Sequence, residues 1–429
     1  MLSSFYVRNF RSILEQRLDF TYAEGKAPNG YLTQDILPFI EAADKQRLVP
    51  CLAFFGANAS GKTNLLKAFG ALKRMLRDGG KLTELYEPNL INRKFNETVF
   101  SLEFFQGTEL FAYRITYSAV AILNEVLLKN NKPIFAIQNL RPEFAPQILS
   151  ITYSEEKLSE ILRVECSDGE GRQTKPFLHR IGLTYPGLNA DLKNAFSYFQ
   201  VGLKFYGNEG PMLLPISVQI LASALGGDEA AALREITDVV RRLDIDITAI
   251  DITTQDLTSD EAGPIEGVTR TNLQTGAKQA LQITAAHKDV EGRTTLLDFR
   301  KHESSGTQRL AGLIGLVLYA LKTGGVFLVD ELECSLHPLL IREIVLLFKR
   351  RRHNPKGAQL IFTTHNTDIL DDSILRISEI ALVRKNSANG TIIRRLVDAK
   401  KDGEDVRNVT NFRKQYLAGF YSGVPHPAL

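Results

Sequence analysis

Gly56-Ala57-Asn58-Ala59-Ser60-Gly61-Lys62-Thr63 has the form G-x-x-x-x-G-K-T, and its flanks decide how it folds. Leu52-Ala53-Phe54-Phe55 before it is a short apolar run, as a buried parallel strand requires; Asn64-Leu65-Leu66-Lys67-Ala68-Phe69 after it reads as a helix. Strand, loop and helix in that order make a phosphate cradle. Glycines let successive backbone N–H groups turn inward around phosphate oxygens, and the helix start adds a favourable dipole. The candidate nucleotide-binding residues are therefore Gly56, Asn58, Ala59, Ser60, Gly61, Lys62, Thr63 and Asn64. Lys62 reaches the β and γ phosphates and Thr63 holds Mg²⁺.

Three later segments can complete such a site. Gly325-Val326-Phe327-Leu328-Val329-Asp330-Glu331 is an apolar strand that ends in two carboxylates. Beside a phosphate loop, Asp330 serves as the metal acid and Glu331 as the base that polarises an attacking water. Glu303-Ser304-Ser305-Gly306-Thr307-Gln308-Arg309 precedes an apolar helix, so its hydroxyls and free helix-start amides form a second phosphate grip. Gln359-Leu360-Ile361-Phe362-Thr363-Thr364-His365 is a further apolar strand, which places His365 at the strand end where such a crevice forms.

The 429 residues allow two or three domains, and 52 basic against 49 acidic residues give a net charge of +3, too balanced to demand nucleic acid. Three scattered cysteines form neither a disulfide framework nor a zinc site. No signal peptide is evident, and the longest apolar run, Leu310 to Leu321, is too short to span a bilayer, so a cytoplasmic location without membrane contact is expected. Residues 2–20 read as two strands, and 22–50 as an irregular insertion with a helical piece near 35–47. Residues 99–105 and 110–117 form a hairpin, extended by strands at 121–129 and 132–137. From about 142 to 243 the period becomes helical, and strand patterns return at 245–253, 281–287 and 294–299. The basic run Lys349 to His353 ends a helix and reads as a capping, solvated helix end, with a nucleic-acid or protein contact as the alternative.

Together with the opening Val7-Arg8-Asn9-Phe10-Arg11-Ser12-Ile13 and with Ser335-Leu336-His337-Pro338, these elements resemble the ATP-binding-cassette (ABC) ATPases, in particular the SMC-like and OLD branch. The resemblance implies an α/β fold: an ABC-type P-loop ATPase head with an antiparallel β layer and an inserted, mostly helical domain. The head would occupy 1–140 and 245–429 and the insertion 141–244. It implies ATP and Mg²⁺ as ligands, with Thr63 and Asp330 on the metal. Ser304, Ser305, Gly306 and Thr307 become the signature motif, acting in trans across a head-to-head homodimer, and His365 the switch histidine. The signature lacks the usual double glycine, the loop has Ala57 and Ala59 where SMC-like proteins favour Pro and Gly, and either Gln106 or Gln138 can supply the Q-loop.

Within the branch the chain looks most like the stand-alone ATPases of anti-phage defence, of the AriA (PARIS) and PtuA (Septu) kind, through Asp330-Glu331-Leu332-Glu333, Ser335 to Pro338 and the closing Tyr416 to Pro425. That implies a sensor and scaffold, as a homodimer or higher oligomer, which holds a separate effector, a nuclease, until a phage-encoded trigger arrives. Direct nucleic-acid binding is compatible but not required. The alternative is a RecF-like repair ATPase that clamps DNA.

Overall fold

Alternating apolar and polar residues at the N-terminus build β1 (Leu2–Phe10) and β2 (Ile13–Asp19), which pair antiparallel across a tight turn. A two-stranded ribbon, β3 (Ile40–Glu41) with β4 (Arg47–Leu48), follows. The helical piece expected near 35–47 is thus extended at both of these places and not helical at 42 and 46; residues 35–39 and 43–45 lie outside the described residues. The computed structural model describes residues 1–23, 40–42, 46–150, 152–185, 187, 189–206, 213–243, 246–256, 268–271, 278–371, 373–386, 388, 390–399 and 412–419.

β5 (Cys51–Phe55) is buried at every position and leads into α1 (Lys62–Asp78), where Leu65, Phe69, Leu72 and Leu76 face the core at helical spacing. After the short α2 (Leu82–Leu85) come β6 (Thr98–Gln106), β7 (Glu109–Tyr117), β8 (Ile122–Lys129), β9 (Lys132–Gln138) and β10 (Arg141–Phe144), an antiparallel meander. Helices α3 (Glu155–Glu165), α4 (Phe177–Thr184) and α5 (Ala190–Ser197) bury Leu158, Ile161, Phe177 and Leu192 in the same core as Phe104 and Tyr113 of the meander. β11 (Leu203–Tyr206) is then extended, and the chain enters α6 (Leu213–Ser223), α7 (Glu229–Arg242), β12 (Ala249–Asp256), β13 (Val268–Thr271), β14 (Lys278–Lys288), β15 (Thr294–Asp298), α8 (Phe299–His302) and α9 (Ser305–Thr323). It finishes with β16 (Val326–Val329), α10 (Pro338–Lys349), β17 (Gln359–Thr364), β18 (Ile380–Asn386), β19 (Gly390–Arg395), α11 (Leu396–Ala399) and α12 (Phe412–Leu417).

The chain divides into two units. The first comprises Met1–Tyr206, Gly324–Leu332 and Val345–Leu429. Its thirteen-stranded sheet runs β10-β9-β8-β7-β6-β1-β2-β19-β18-β5-β17-β16-β11, and β18, β5, β17, β16 and β11 are mutually parallel. Of the parallel strands, β5, β16 and β17 are buried at every position and read as near-continuous apolar runs, whereas the meander alternates.

The second unit comprises Gly207–Thr323 and Glu333–Ile344. A four-stranded sheet of β12 to β15 lies there with helices α6, α7 and α9. In α9, the apolar run Leu310 to Leu321 forms the apolar helix that follows Ser304 to Thr307 and is largely buried. Gly312 and Gly315 are what allow α6 to approach it: a Cβ there would fall 2.4 Å from Leu213 Cγ and 2.5 Å from Ser217 Oγ.

These units redraw the sequence boundaries. Residues 141–244, read as one inserted helical domain, are divided: α3 to α5 and β11 belong to the first unit, α6 and α7 to the second. Residues 245–323, expected to return to the head, form the separate sheet instead. Helical period reports that a face is buried but not what covers it.

Candidate nucleotide site

Because β5, β17 and β16 are adjacent and parallel, their C-terminal ends emerge side by side, with Thr364 opposite Phe55 and Val329 opposite Phe362. A cavity of about 510 Å³ opens there, lined by Ser12, Asn58, Ala59, Ser60, Gly61, Lys62, Thr63, Asn64, Glu331, His365 and Lys385. All of these residues belong to the first unit.

The loop takes the shape its sequence demands. Gly61, the residue before α1, has φ +104, and Ala59 takes a left-handed φ of 60 without being glycine. Gly56 is needed for space, since a Cβ would lie 2.2 Å from the Val383 carbonyl oxygen. Lys62 is buried, and its Nζ donates to the carbonyls of Gly56 at 2.7 Å and Ala57 at 3.0 Å, so the ammonium already lies across the cradle.

From the first turn of α1, Thr63 Oγ1 donates to Asp330 Oδ1 at 3.3 Å, and from β17 Thr363 Oγ1 donates to the same oxygen at 2.6 Å. The Glu331 amide donates to Thr363 Oγ1 at 2.8 Å, which holds Glu331 in a left-handed turn with φ 49. Glu331 and His365 are both exposed at the mouth of the cavity. Thr63 and Asp330 form a pair of hard oxygen donors of the kind Mg²⁺ takes together with phosphate oxygens and water. No group of three or more His, Cys, Asp or Glu suited to a metal occurs among the described residues.

Ser304 to Thr307 lie elsewhere, at the start of α9 in the second unit. Ser304 Oγ accepts from the Thr307 amide at 3.1 Å and stands 2.9 Å from Thr307 Oγ1. Gly306 packs so closely on Ser335 that a Cβ would lie 2.4 Å from its carbonyl oxygen. Glu303, just before the motif, is tied to β14 by His287 Nε2 at 2.6 Å. None of the four signature residues lines the cavity.

Neither candidate for the Q-loop does so either: Gln106 Nε2 donates to Ser197 Oγ at 3.3 Å, and Gln138 is exposed at the end of β9. The basic run is only partly a solvated helix end. Lys349 is wholly buried in an ion pair with Glu379 and donates to the Ile374 carbonyl at 2.6 Å, while Arg351 and Arg352 are exposed. Sequence reasoning also passed over Lys385 of β18, which lines the cavity, and Thr391 of β19, which bonds to the loop at Ser60. A second cavity, of about 470 Å³, lies between α7 and β12 and carries no phosphate-binding loop. Among the described residues no helix is long and apolar enough to cross a membrane.

Comparison with known proteins places residues 223–371, roughly a third of the chain, in similarity to a family described as an AAA domain, putative AbiEii toxin, type IV TA system. That segment contains the signature residues, Asp330, Glu331 and His365, but not the phosphate loop. Among solved structures, the SMC head domain from Thermotoga maritima is 14% identical over 92% of this chain and 98% of its own, with a TM-score of 0.39. The Smc head domain with a coiled coil and joint from Pyrococcus yayanosii is 10% identical over 95% of this chain and 100% of its own, with a TM-score of 0.41. No curated protein matches the chain.

Proposed function

We propose that the chain is an ATPase that binds ATP in the cavity at Gly56 to Asn64 and hydrolyses it. The observation that carries this reading is convergence: Lys62, Thr63, Glu331 and His365 come from three separate segments and line one cavity. Loop amides and the start of α1 hold the phosphates, and Lys62 transfers its hydrogen bonds from the loop carbonyls to them. Glu331 takes the proton of the attacking water, and His365 contacts the γ-phosphate and orients that water. Thr63 and Asp330 would hold Mg²⁺, which supplies charge neutralisation at the phosphate oxygens. The Thr363 hydroxyl positions both acidic residues, donating to the Asp330 carboxylate and accepting from the Glu331 backbone amide.

Ser304 and Ser305 are exposed and Gly306 and Thr307 half-buried at a helix start, and none of the four lines the cavity, which supports their acting on the nucleotide of a second copy. ATP binding and assembly into a homodimer or higher oligomer then become one event. The family matched over residues 223–371 is described as a putative toxin of a type IV TA system. That description supports a toxin–antitoxin-like role. On the resemblance to the AriA and PtuA kind we further infer a cytoplasmic anti-phage system, in which the ATPase holds a separate effector and releases it on a phage-encoded trigger.

The test is turnover. Glu331→Gln is expected to keep ATP binding and lower hydrolysis roughly 10²–10⁴-fold, the range for losing a general base, whereas Lys62→Ala weakens binding itself. A parent protein that does not hydrolyse ATP would overturn the reading. Strong, salt-sensitive, ATP-dependent DNA binding would redirect it to a RecF-like clamp.

A further inference from the structure

The phosphate loop is held from behind by a hairpin that carries no recognisable motif. β18 and β19 pair antiparallel, with Lys385 directly opposite Thr391. Thr391 is fully buried against the loop. Its Oγ1 donates to the Ser60 carbonyl at 3.0 Å and stands 2.6 Å from Ser12 Oγ, and its amide donates to the Ser12 carbonyl at 2.7 Å. Asn64 Nδ2 in turn donates to Ser12 Oγ at 2.7 Å. A hydroxyl has one proton, so the directions are forced: Asn64 donates to Ser12, Ser12 to Thr391, and Thr391 to Ser60. This relay ties both ends of the loop's helical turn to residues 12 and 391.

Gly61 records how close the contact is, since a Cβ there would lie 1.9 Å from Thr391 Oγ1 and 2.9 Å from Ser12 Oγ. Gly390, at φ +68, has the same constraint, its Cβ position lying 2.1 Å from the Ser12 carbonyl oxygen. Directly opposed residues of an antiparallel pair project from the same face of the sheet. Lys385 therefore projects on the face where Thr391 meets the loop, and it lines the cavity beside Lys62. Among the described residues its ammonium has neither an ion pair nor a hydrogen bond.

We propose that the β18–β19 hairpin is part of the nucleotide site, with Thr391 positioning the phosphate loop and Lys385 binding the polyphosphate as a second cation. The proposal rests on the ATP-binding reading above and adds two residues to it. It is tested by titrating the full chain with a fluorescent ATP analogue while following thermal unfolding in parallel. Lys385→Gln is expected to raise Kd roughly tenfold to a hundredfold, as for a lost charge-assisted contact, and to flatten its salt dependence. Lys385→Arg recovers most of the affinity. Thr391→Val raises Kd, while Thr391→Ser, which keeps the relay, stays near the parent; Ser12→Ala interrupts the same relay should Thr391→Val fail to fold.

If Lys62→Ala loses ATP while Lys385→Gln and Thr391→Val bind like the parent, the hairpin proposal fails and the ATP reading stands. If the parent itself binds no ATP, the ATP reading fails. A Thr391→Val protein that melts earlier yet binds with the parent's Kd reduces Thr391 to a structural role and overturns its positioning one.

Discussion

Gly61 and Ala59 occupy similar backbone angles for opposite reasons. At Gly61, φ +104 coincides with a contact that leaves no room for a side chain, so Gly61→Ala is expected to abolish ATP binding and to cost at least about 1–2 kcal/mol in urea denaturation. Ala59 is exposed, and only its backbone is strained. Ala59→Gly should therefore leave ATP affinity unchanged and raise stability by no more than about 1 kcal/mol, because relief of the left-handed strain is offset by glycine's extra chain entropy. A large affinity loss in Ala59→Gly would show that the strained conformation itself serves binding. Asp330, Glu331 and His365 were legible because each follows an apolar run at a strand end, a pattern local in sequence. Thr391 and Lys385 were not, because a hydroxyl relay between residues 12, 60 and 391 leaves no trace in any window of neighbouring residues.

Among the elements, α4 shows how a helix read from its periodicity finds its partner. Glu125 of β8 is fully buried; its Oε2 accepts from the Phe177 amide at 2.7 Å and Gln173 Nε2 at 2.8 Å, its Oε1 from the Leu178 amide and Tyr113 OH, both at 3.0 Å. The carboxyl thus caps the start of α4 and pins it to the meander. Burial pushes its pKa above the usual carboxylate range, against the pull of its four hydrogen-bond donors. The folded state then holds the proton to higher pH than the unfolded state does. Its contribution is fully present below the ordinary carboxylate pKa and is lost as pH rises through the raised one. Glu125→Gln, whose NH₂ must face donors, is expected to cost about 2–5 kcal/mol and to remove that slope from a stability-versus-pH series. An unchanged slope would assign it to another group. The helical period of residues 155–197 was visible in the sequence; that a buried glutamate would recruit these helices to the meander was not.

At the scale of the whole molecule, the motifs are divided between the two units. The phosphate loop, Asp330, Glu331 and His365 share one unit, and Ser304 to Thr307 belong to the other. If the signature works in trans, neither Lys62→Ala nor Ser305→Arg should hydrolyse ATP alone, but an equal mixture should recover roughly a quarter of the parent turnover, the share of sites in random dimers that combine two intact halves. No recovery after subunit exchange would place the complete site within one chain. The sequence by itself determined the strand-loop-helix at Gly56 to Thr63, the acidic strand end, the hairpins of the meander and the buried helix α9. All of these are written in local period and turn chemistry, which short-range sterics and one-sided burial enforce. Only the tertiary structure decided the order of the thirteen strands, the assignment of α3 to α5 and β11 to the first unit, the separate sheet of β12 to β15, and the hairpin that backs the phosphate loop. Each of these depends on which distant segments bury one another's surfaces and satisfy one another's hydrogen bonds, a choice settled when the chain closes on itself rather than in any single stretch of it.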